Sequence, residues 1–354
     1  MTTAPVSTEV ASTAADTVVV GPQYKSDWDH YVHNADGVIA WHSYDWCNLL
    51  RRHHGAEFYP IAVYDGSRIC GILPLYRLRL FRKEILVSVP YFVAGGIAAK
   101  DAAVQQALLD RAIQLATQLR ISSLTLKQYK LKLAGPLLTD DNYYNRELAI
   151  DNNLDRIWDS ISELNRSKIR ESEQYCCELE FPSTNVSLFH RFLLNDQQSA
   201  GVPCVSKRWI EELFKSGMYE IALLRHKGEV VAATMAKQFR DTVSFPFTCL
   251  RDHHEEMGLF AYALYWKLIR QFAHQGVRIV HSGRIPKTDA AFEYRLGWGG
   301  TKYNYYYQYY GMGKGQTEFS TKRGWKRALI ESAWKRLPTS VAGLLGPAVM
   351  KQFP

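Results

Sequence analysis

An α/β fold of two tandem domains, each a mixed twisted sheet flanked by helices, is predicted by three observations. Residues 58–128 and 219–281 carry the same order of strand, glycine turn, strand, third strand, helix and strand. The helix after the third strand makes each copy a βαβ crossover, which returns the chain parallel to itself. A chain of 354 residues with 47% hydrophobic content can also fill two buried cores. A repeat of two units is too short for a solenoid; it points to two similar domains side by side, with a shared cleft able to hold two substrates.

In the first copy Phe58 to Val63 is a short apolar strand, Tyr64-Asp65-Gly66-Ser67 a tight turn, and Ile69 to Tyr76 the returning strand. Ile85 to Val89 is the third. After the Gly95-Gly96 break Asp101 can cap a helix whose buried stripe reads Val104, Leu108, Ala112, Leu115 and Leu119. Ser122 to Leu126 then alternates as a strand. The second copy repeats each step: Tyr219 to Leu224, the Lys227-Gly228 turn, Val230 to Phe239, Val243 to Leu250, a helix with Leu264, Leu268 and Phe272 on one face, the Gly276 stop, and Val277 to Val280. The run Tyr303 to Tyr310 has strand periodicity, with Tyr303, Tyr305, Tyr307 and Tyr309 on one face, and reads as a late strand of the second sheet.

Composition narrows the function. The longest apolar run, Val341 to Met350, is interrupted by Gly343, Gly346 and Pro347 and falls short of the roughly 20 residues a bilayer requires. The opening segment has no Lys or Arg before Val20 and reads as a disordered lead, residues 1–23, so a cytoplasmic location is expected. Six cysteines (Cys47, Cys70, Cys176, Cys177, Cys204, Cys249) form no CxxC and read as small buried hydrophobes. His53-His54 and His253-His254 are adjacent pairs, which point apart on a helix or strand, so no metal is expected.

The formal charge of +8 is unevenly placed. Beyond Tyr310 eight basic residues (Lys314, Lys322, Arg323, Lys326, Arg327, Lys335, Arg336, Lys351) face Glu318 and Glu331, which accounts for +6. Trp325, Leu329, Ala333 and Leu337 fall at i, i+4 spacing among them. That pattern suits an anionic membrane surface through residues 322–351, a partner groove, or a solvated helix docked on its own domain. DNA is not an expected partner, since no aromatic-basic platform accompanies the charge.

Ligands of open sheets bind outside the carboxyl ends of strands, and the strand Val277 to Val280 runs into His281-Ser282-Gly283-Arg284, then Lys287, Asp289, Glu293, Tyr294, Arg295 and Trp298-Gly299. Arg284 offers a planar fork for phosphate or carboxylate beside a glycine that permits close approach, or else a salt bridge to Asp289 or Glu293. His281, Asp289 and Glu293 are the candidate catalytic acid–base groups. Arg284, Lys287, Tyr294, Arg295 and Trp298 are the candidate substrate-binding groups.

Gly283-Arg284, thirteen residues, Trp298-Gly299 and a tyrosine-rich strand together resemble FemAB-type proteins of the GNAT acyltransferase superfamily, especially those of exopolysaccharide and PEP-CTERM/exosortase loci. The resemblance extends from about residue 24 over nearly the whole chain. Its segments are Trp46, Gly71-Ile72-Leu73-Pro74-Leu75, Ser88-Val89-Pro90, Gly95-Gly96-Ile97, Arg166-Ser167-Lys168-Ile169-Arg170, Gly201-Val202-Pro203, Trp334-Lys335-Arg336-Leu337-Pro338 and Leu345-Gly346-Pro347. It implies two GNAT-like domains, residues 24–145 and 146–312, the second with the active site, followed by a basic tail 313–354. It also implies acyl transfer from acyl-CoA or aminoacyl-tRNA to an amine or hydroxyl on a sugar or cell-envelope precursor, in the cytoplasm or peripherally at the inner membrane face. The alternative is a GNAT-like scaffold that binds such a precursor without chemistry. GNAT enzymes that bind CoA present Arg/Gln-x-x-Gly-x-Gly/Ala after the third strand, whereas this chain reads Glu255-Glu256-Met257-Gly258-Leu259-Phe260. Two carboxylates beside a pyrophosphate are unfavourable, so the donor stays open. The family's Phe-Lys before Trp-Gly stands here as Tyr294-Arg295, which keeps the ring and the charge.

Overall fold

The computed structural model describes residues 16–80, 83–121, 123–251, 255–287, 297–311 and 325–352. The first half runs β1 (Asp16–Val19), α1 (Lys25–Asn34), α2 (Tyr44–His54), β2 (Glu57–Asp65), β3 (Arg68–Arg79), β4 (Glu84–Ser88), β5 (Ala98–Ala99), α3 (Ala102–Gln118), β6 (Leu124–Tyr129) and β7 (Leu138–Ala149). The connecting helices α4 (Leu154–Ser160) and α5 (Glu163–Glu173) follow. The second half then runs β8 (Glu178–Ser183), α6 (Val186–Ser199), α7 (Lys207–Lys215), β9 (Glu220–His226), β10 (Glu229–Phe239), β11 (Thr242–Ser244), β12 (Cys249–Leu250), α8 (Glu255–His274), β13 (Ile279–His281), β14 (Ile285–Pro286) and β15 (Thr301–Tyr310). Two helices, α9 (Trp325–Arg336) and α10 (Thr339–Met350), end the described chain.

Local chemistry explains the elements. Asp101 accepts from the Val104 amide at 2.8 Å and caps α3 as expected. Lys227 and Gly228 both take positive φ (51° and 81°) in the two-residue turn between β9 and β10. Val243 to Leu250, expected as one strand, is split into β11 and β12. Both pair with β10, but Phe245–Thr248 opposes one residue fewer on β10, a bulge centred on Pro246, which has no amide hydrogen to give the ladder. Asp16–Val19, expected within a disordered lead, forms β1 and pairs antiparallel with β2.

The two halves share one sheet in the order β1-β2-β3-β4-β6-β15-β7-β13-β11-β10-β9-β8. Each half ends by giving a strand to the other. β7 follows β6 in the chain yet pairs with β13 of the second half, and β15 pairs with β6 of the first. β7 and β15 pair with each other at the centre. The domain border expected at residues 145–146 therefore falls inside β7. The crossovers are as predicted: β4 and β6 are parallel around α3, and β11 and β13 are parallel around α8.

One sheet face is covered by α3 in the first half, through Val104, Leu108, Ala112 and Leu115. In the second half α5 and α8 cover it, through Ile169, Phe260, Leu264, Leu268 and Phe272. On the other face the halves share a core: Tyr76 of β3 and Ile221 of β9 belong to one apolar cluster. Eight steps separate these strands, about 38 Å in a flat sheet at ~4.8 Å per strand. Trp46 nonetheless lies 4.6 Å from Phe92, 5.9 Å from Trp209 and 6.1 Å from Tyr219, centroid to centroid. The sheet thus curls, and its concave face becomes an interior.

Of the apolar stripe expected in the tail, Ala333 is exposed and Leu337 half-buried, while Trp334 is the buried residue; the Trp325 and Leu329 side chains lie outside the described ones. Among the described residues no helix is long and apolar enough to cross a membrane.

Gly300, at the entry to β15, has φ +85° and an added Cβ would lie 2.5 Å from the Glu147 carbonyl oxygen. Gly300→Ala is expected to destabilise the protein by about 2–3 kcal/mol, read from denaturant unfolding, because both the left-handed backbone and the central strand pairing oppose it.

Candidate active site on the concave face

Strand register carries polar groups across the curled face. Paired residues of neighbouring strands project to the same side, so one row reads Lys237 (β10), Ser244 (β11), His281 (β13), Glu147 (β7) and Thr301 (β15). Parallel rows carry Tyr143, Tyr305 and Tyr129, then Asp140, Tyr307 and Lys127. Tyr305, Tyr307 and Tyr309 are buried, so the tyrosine face expected from alternation lines this interior.

Glu147 is the organised carboxylate here. The Tyr129 hydroxyl donates to its Oε1 at 2.7 Å and Lys130 Nζ to its Oε2 at 2.8 Å. Asn145 Nδ2 donates to the Tyr129 oxygen at 2.7 Å, and Lys130 also sits 4.0 Å above the Tyr303 ring. His281 lies edge-on to Tyr129 at 5.2 Å. Only 7% of it is exposed, and burial, assisted by the charge of Lys130, lowers its pKa to about 3. The imidazole is therefore neutral across the physiological range, not the half-protonated base that an unperturbed histidine would be. Its Nδ1 has no hydrogen-bond partner among the described residues.

The parallel pairing of β11 and β13 stops at Ser244 and His281. Beyond that row β12 stays with β10 while β14 pairs with β7, so the two chains part and open a V at the carboxyl end of the crossover. The equivalent opening in the first half is stitched shut by its own chain. Ser88 Oγ accepts from the Lys127 amide at 2.9 Å, Gly95 N donates to the Lys127 carbonyl at 3.1 Å, and Lys127 Nζ donates to the Phe92 carbonyl at 3.0 Å. Val89 and Tyr91 take positive φ (41° and 66°) to make that turn.

Of the expected site residues, His281 and Arg284 reach the concave face. Arg284 packs 4.8 Å over Tyr143 and interacts with the Tyr307 hydroxyl. Lys287 stands at the rim in an ion pair with Asp141 at 3.1 Å. Trp298 is buried on the opposite side, 6.0 Å from Tyr262 and 5.6 Å from Tyr265 of α8, where it packs the second core. Asp289, Glu293, Tyr294 and Arg295 lie outside the described residues. Among the described residues no group of three His, Cys, Asp or Glu is arranged to hold a metal.

A cleft of about 700 Å³ opens between the halves, lined by Asp29, His33, Asp45, Arg51 and Arg52 from α1 and α2 and by Met218, Lys237 and Phe239 from the second half. Lys237 is only 5% exposed. Its ammonium lies 5.9 Å from the Trp46 ring and 5.1 Å from the Tyr219 ring, with no hydrogen-bond or ion-pair partner among the described residues. Both cleft carboxylates already share Lys25, so Lys237, Arg51 and Arg52 leave the lining cationic. Lys237 and Glu147 were not singled out from sequence; the one available signal was a lysine directly after the largely apolar run Val230 to Ala236.

Burial lowers the Lys237 pKa to about 8. The folded protein then sheds this proton before the unfolded chain does, so the unfolded state binds more protons between pH 8 and 10.5 and stability rises with pH there. Relative to Lys237→Met, which lacks the group, wild-type unfolding free energy is expected to gain about 3 kcal/mol across that window. Denaturant titrations of both proteins at each pH check it; a constant difference would mean that the ammonium is not desolvated.

No family model matches the chain, and no curated protein matches it in sequence. Solved structures do. FemX aligns with a TM-score of 0.63 at 10% identity, covering 83% of this chain and 96% of that one. A conserved protein of unknown function from Bacteroides thetaiotaomicron gives 0.54 at 10% identity, covering 84% and 99%. A tandem GNAT protein from the clavulanic acid biosynthesis pathway gives 0.50 at 12% identity, covering 84% and 99%. The chain therefore shares its fold with FemX and with a tandem GNAT protein, the architecture that the sequence resemblance implied.

Proposed function

We propose that this protein is a FemAB-like acyl- or aminoacyltransferase that acts on an anionic acceptor held in the cleft beside Lys237. The observation that carries the reading is the asymmetry between two similar halves: one crossover opening is stitched shut, while the other stands open at a row of buried polar groups leading to the cleft. In this reading the acceptor's phosphate or carboxylate meets Lys237, whose isolated buried charge gains most from an anionic partner. The acceptor amine or hydroxyl attacks the carbonyl carbon of the donor in the V. A new amide or ester bond forms, the donor ester or thioester bond breaks, Glu147 receives the acceptor's proton, and the leaving thiol or hydroxyl is protonated in turn. Neutral His281 and the tyrosine hydroxyls supply hydrogen bonds without adding charge, which suits a sugar-bearing acceptor such as an exopolysaccharide or cell-envelope precursor at the cytoplasmic side of the inner membrane.

For the donor, the sequence at the start of α8 supports a reading against pyrophosphate binding there. A helix amino terminus attracts pyrophosphate, but the sequence here reads Glu255-Glu256, and two carboxylates are unfavourable beside a phosphate. We therefore favour an aminoacyl-tRNA over acyl-CoA. The same pair of glutamates also favours the alternative, a GNAT-like scaffold that binds the acceptor and does no chemistry.

Purified protein incubated with candidate envelope precursors and either donor, with products read by mass spectrometry, separates these readings. Product with aminoacyl-tRNA and no saturable binding of acetyl-CoA by calorimetry supports ours; acceptor binding without product from either donor supports the scaffold. Given turnover, Glu147→Gln is expected to lower kcat by about 10²–10⁴-fold with acceptor KM little changed. Lys237→Gln is expected to raise acceptor KM at least ~10-fold, the loss of one charge-assisted contact. An unchanged KM in Lys237→Gln would remove the acceptor from this cleft.

A further inference from the structure

The helix α10 (Thr339–Met350) contains no ionisable side chain, yet it lies on the surface. Its inner face is made of small residues. Ala342 and Gly346 are buried, and a Cβ on Gly346 would sit 2.7 Å from the Cys204 carbonyl oxygen, so the helix lies close against the segment after α6. Gly343 faces Leu194 of α6 in the same way. The bulky residues are left outside: Leu344 is 79% exposed and Leu345 45%, with Val341 and Ala348 exposed on the same side. Spacing of i, i+3, i+4 and i+7 aligns these four as one stripe. Val202, on the segment that α10 packs against, is also exposed.

Cations frame the stripe. Lys335 and Arg336 stand exposed just before α10 and Lys351 just after it. Between Lys335 and Gln352 there is no acidic residue. A soluble surface gains nothing from a leucine displayed in this way, and contiguous apolar patches rimmed by charge mark interaction sites. The framing charge selects the occupant: two identical stripes would bring like charges together, whereas phosphate headgroups complement both ends while the leucines enter the acyl boundary. The helix is also tied to the transferase cleft. The Tyr91 hydroxyl donates to the Lys351 carbonyl at 3.3 Å, and the Tyr91 ring stacks at 4.1 Å on His54, in the last turn of the α2 helix that supplies Arg51 and Arg52 to the cleft.

We infer that α10 is an in-plane membrane-docking helix that seats Val341, Leu344 and Leu345 in an anionic bilayer, with Lys335, Arg336 and Lys351 on the headgroups. The surface is displaced one helix along the tail from the stripe expected at Trp325–Leu337, and it does not depend on the transferase reading.

Flotation of the full chain with vesicles of phosphatidylcholine alone, or with about one third phosphatidylglycerol, tests it. Binding is expected to the anionic vesicles and to fall steeply with added salt. Leu344→Ser with Leu345→Ser should weaken it at least ~10-fold, since both apolar side chains would no longer leave water on binding. Lys335→Glu with Arg336→Glu should also abolish it, while Leu344→Met should retain it. Thermal unfolding of each variant verifies that these exposed changes leave the fold intact. No binding to anionic vesicles, equal binding to neutral ones, or a concentration-dependent dimer lost in the double serine variant would overturn the inference, the last in favour of self-association.

Discussion

The antiparallel pairing of Leu138–Ala149 with Thr301–Tyr310 is the constraint on which the rest of this molecule depends. These two strands meet at the centre of the sheet, and each belongs by chain order to the half opposite the one it borders. Without them, the strand Leu124–Tyr129 in one half and Ile279–His281 in the other would present open edges, a standing invitation to aggregation. The exchange converts two incomplete sheets into one and makes each half's stability conditional on the other. It also explains the glycines that precede the last strand: Gly299 and Gly300 both take positive φ, and a Cβ added to either would lie 2.5 Å from a backbone oxygen, of Ser160 and Glu147 respectively, so a side chain would hold the strands apart.

Register follows from that pairing, and chemistry follows from register. Because strand side chains alternate with period two, a slip of one residue would turn Glu147 and His281 away from the concave face and send Leu148 and Val280 into it. The buried polar groups add their own specificity. Glu147 is held by Tyr129 and Lys130, and Tyr129 by Asn145, so the carboxylate has one orientation. The neutral imidazole of His281 beside it avoids a second buried charge. Lys237, by contrast, is buried against the Trp46 and Tyr219 rings with no ion-pair partner among the described residues, an arrangement that costs stability.

The duplicated fold has diverged at equivalent points. Where the first half parts its parallel strands, positive-φ residues and the Lys127 contacts draw the following loop back over the gap. Where the second half parts them, a bulge at Pro246 holds one chain on its hairpin partner while the other turns away at Gly283, φ +80°. The first half thus serves as a wall, and its helices Lys25–Asn34 and Tyr44–His54 form one bank of the cleft whose other bank is the Glu229–Phe239 strand.

Much of this architecture was legible in the chain because it is written in short-range patterns. Alternation marked the strands, Asp101 and Gly276 marked helix ends, and the doubled order of elements marked the repeat; the run Tyr303–Tyr310 showed its buried face through its tyrosines. His281 and Arg284 were reachable from the rule that sites gather at the carboxyl ends of crossover strands. Glu147 and Lys237 were not, since one lies 134 residues and the other 44 from His281 in the chain, and their alignment exists only through pairing between strands. Trp298, which local sequence placed near the site, packs the second core instead, because the Trp-Gly-Gly turn projects it under the Glu255–His274 helix. Local propensity and periodicity were thus determined by the sequence alone. Which half each central strand completes, which opening is closed and which charges share a face were decided by tertiary structure, because those depend on contacts between residues that no local pattern can bring together.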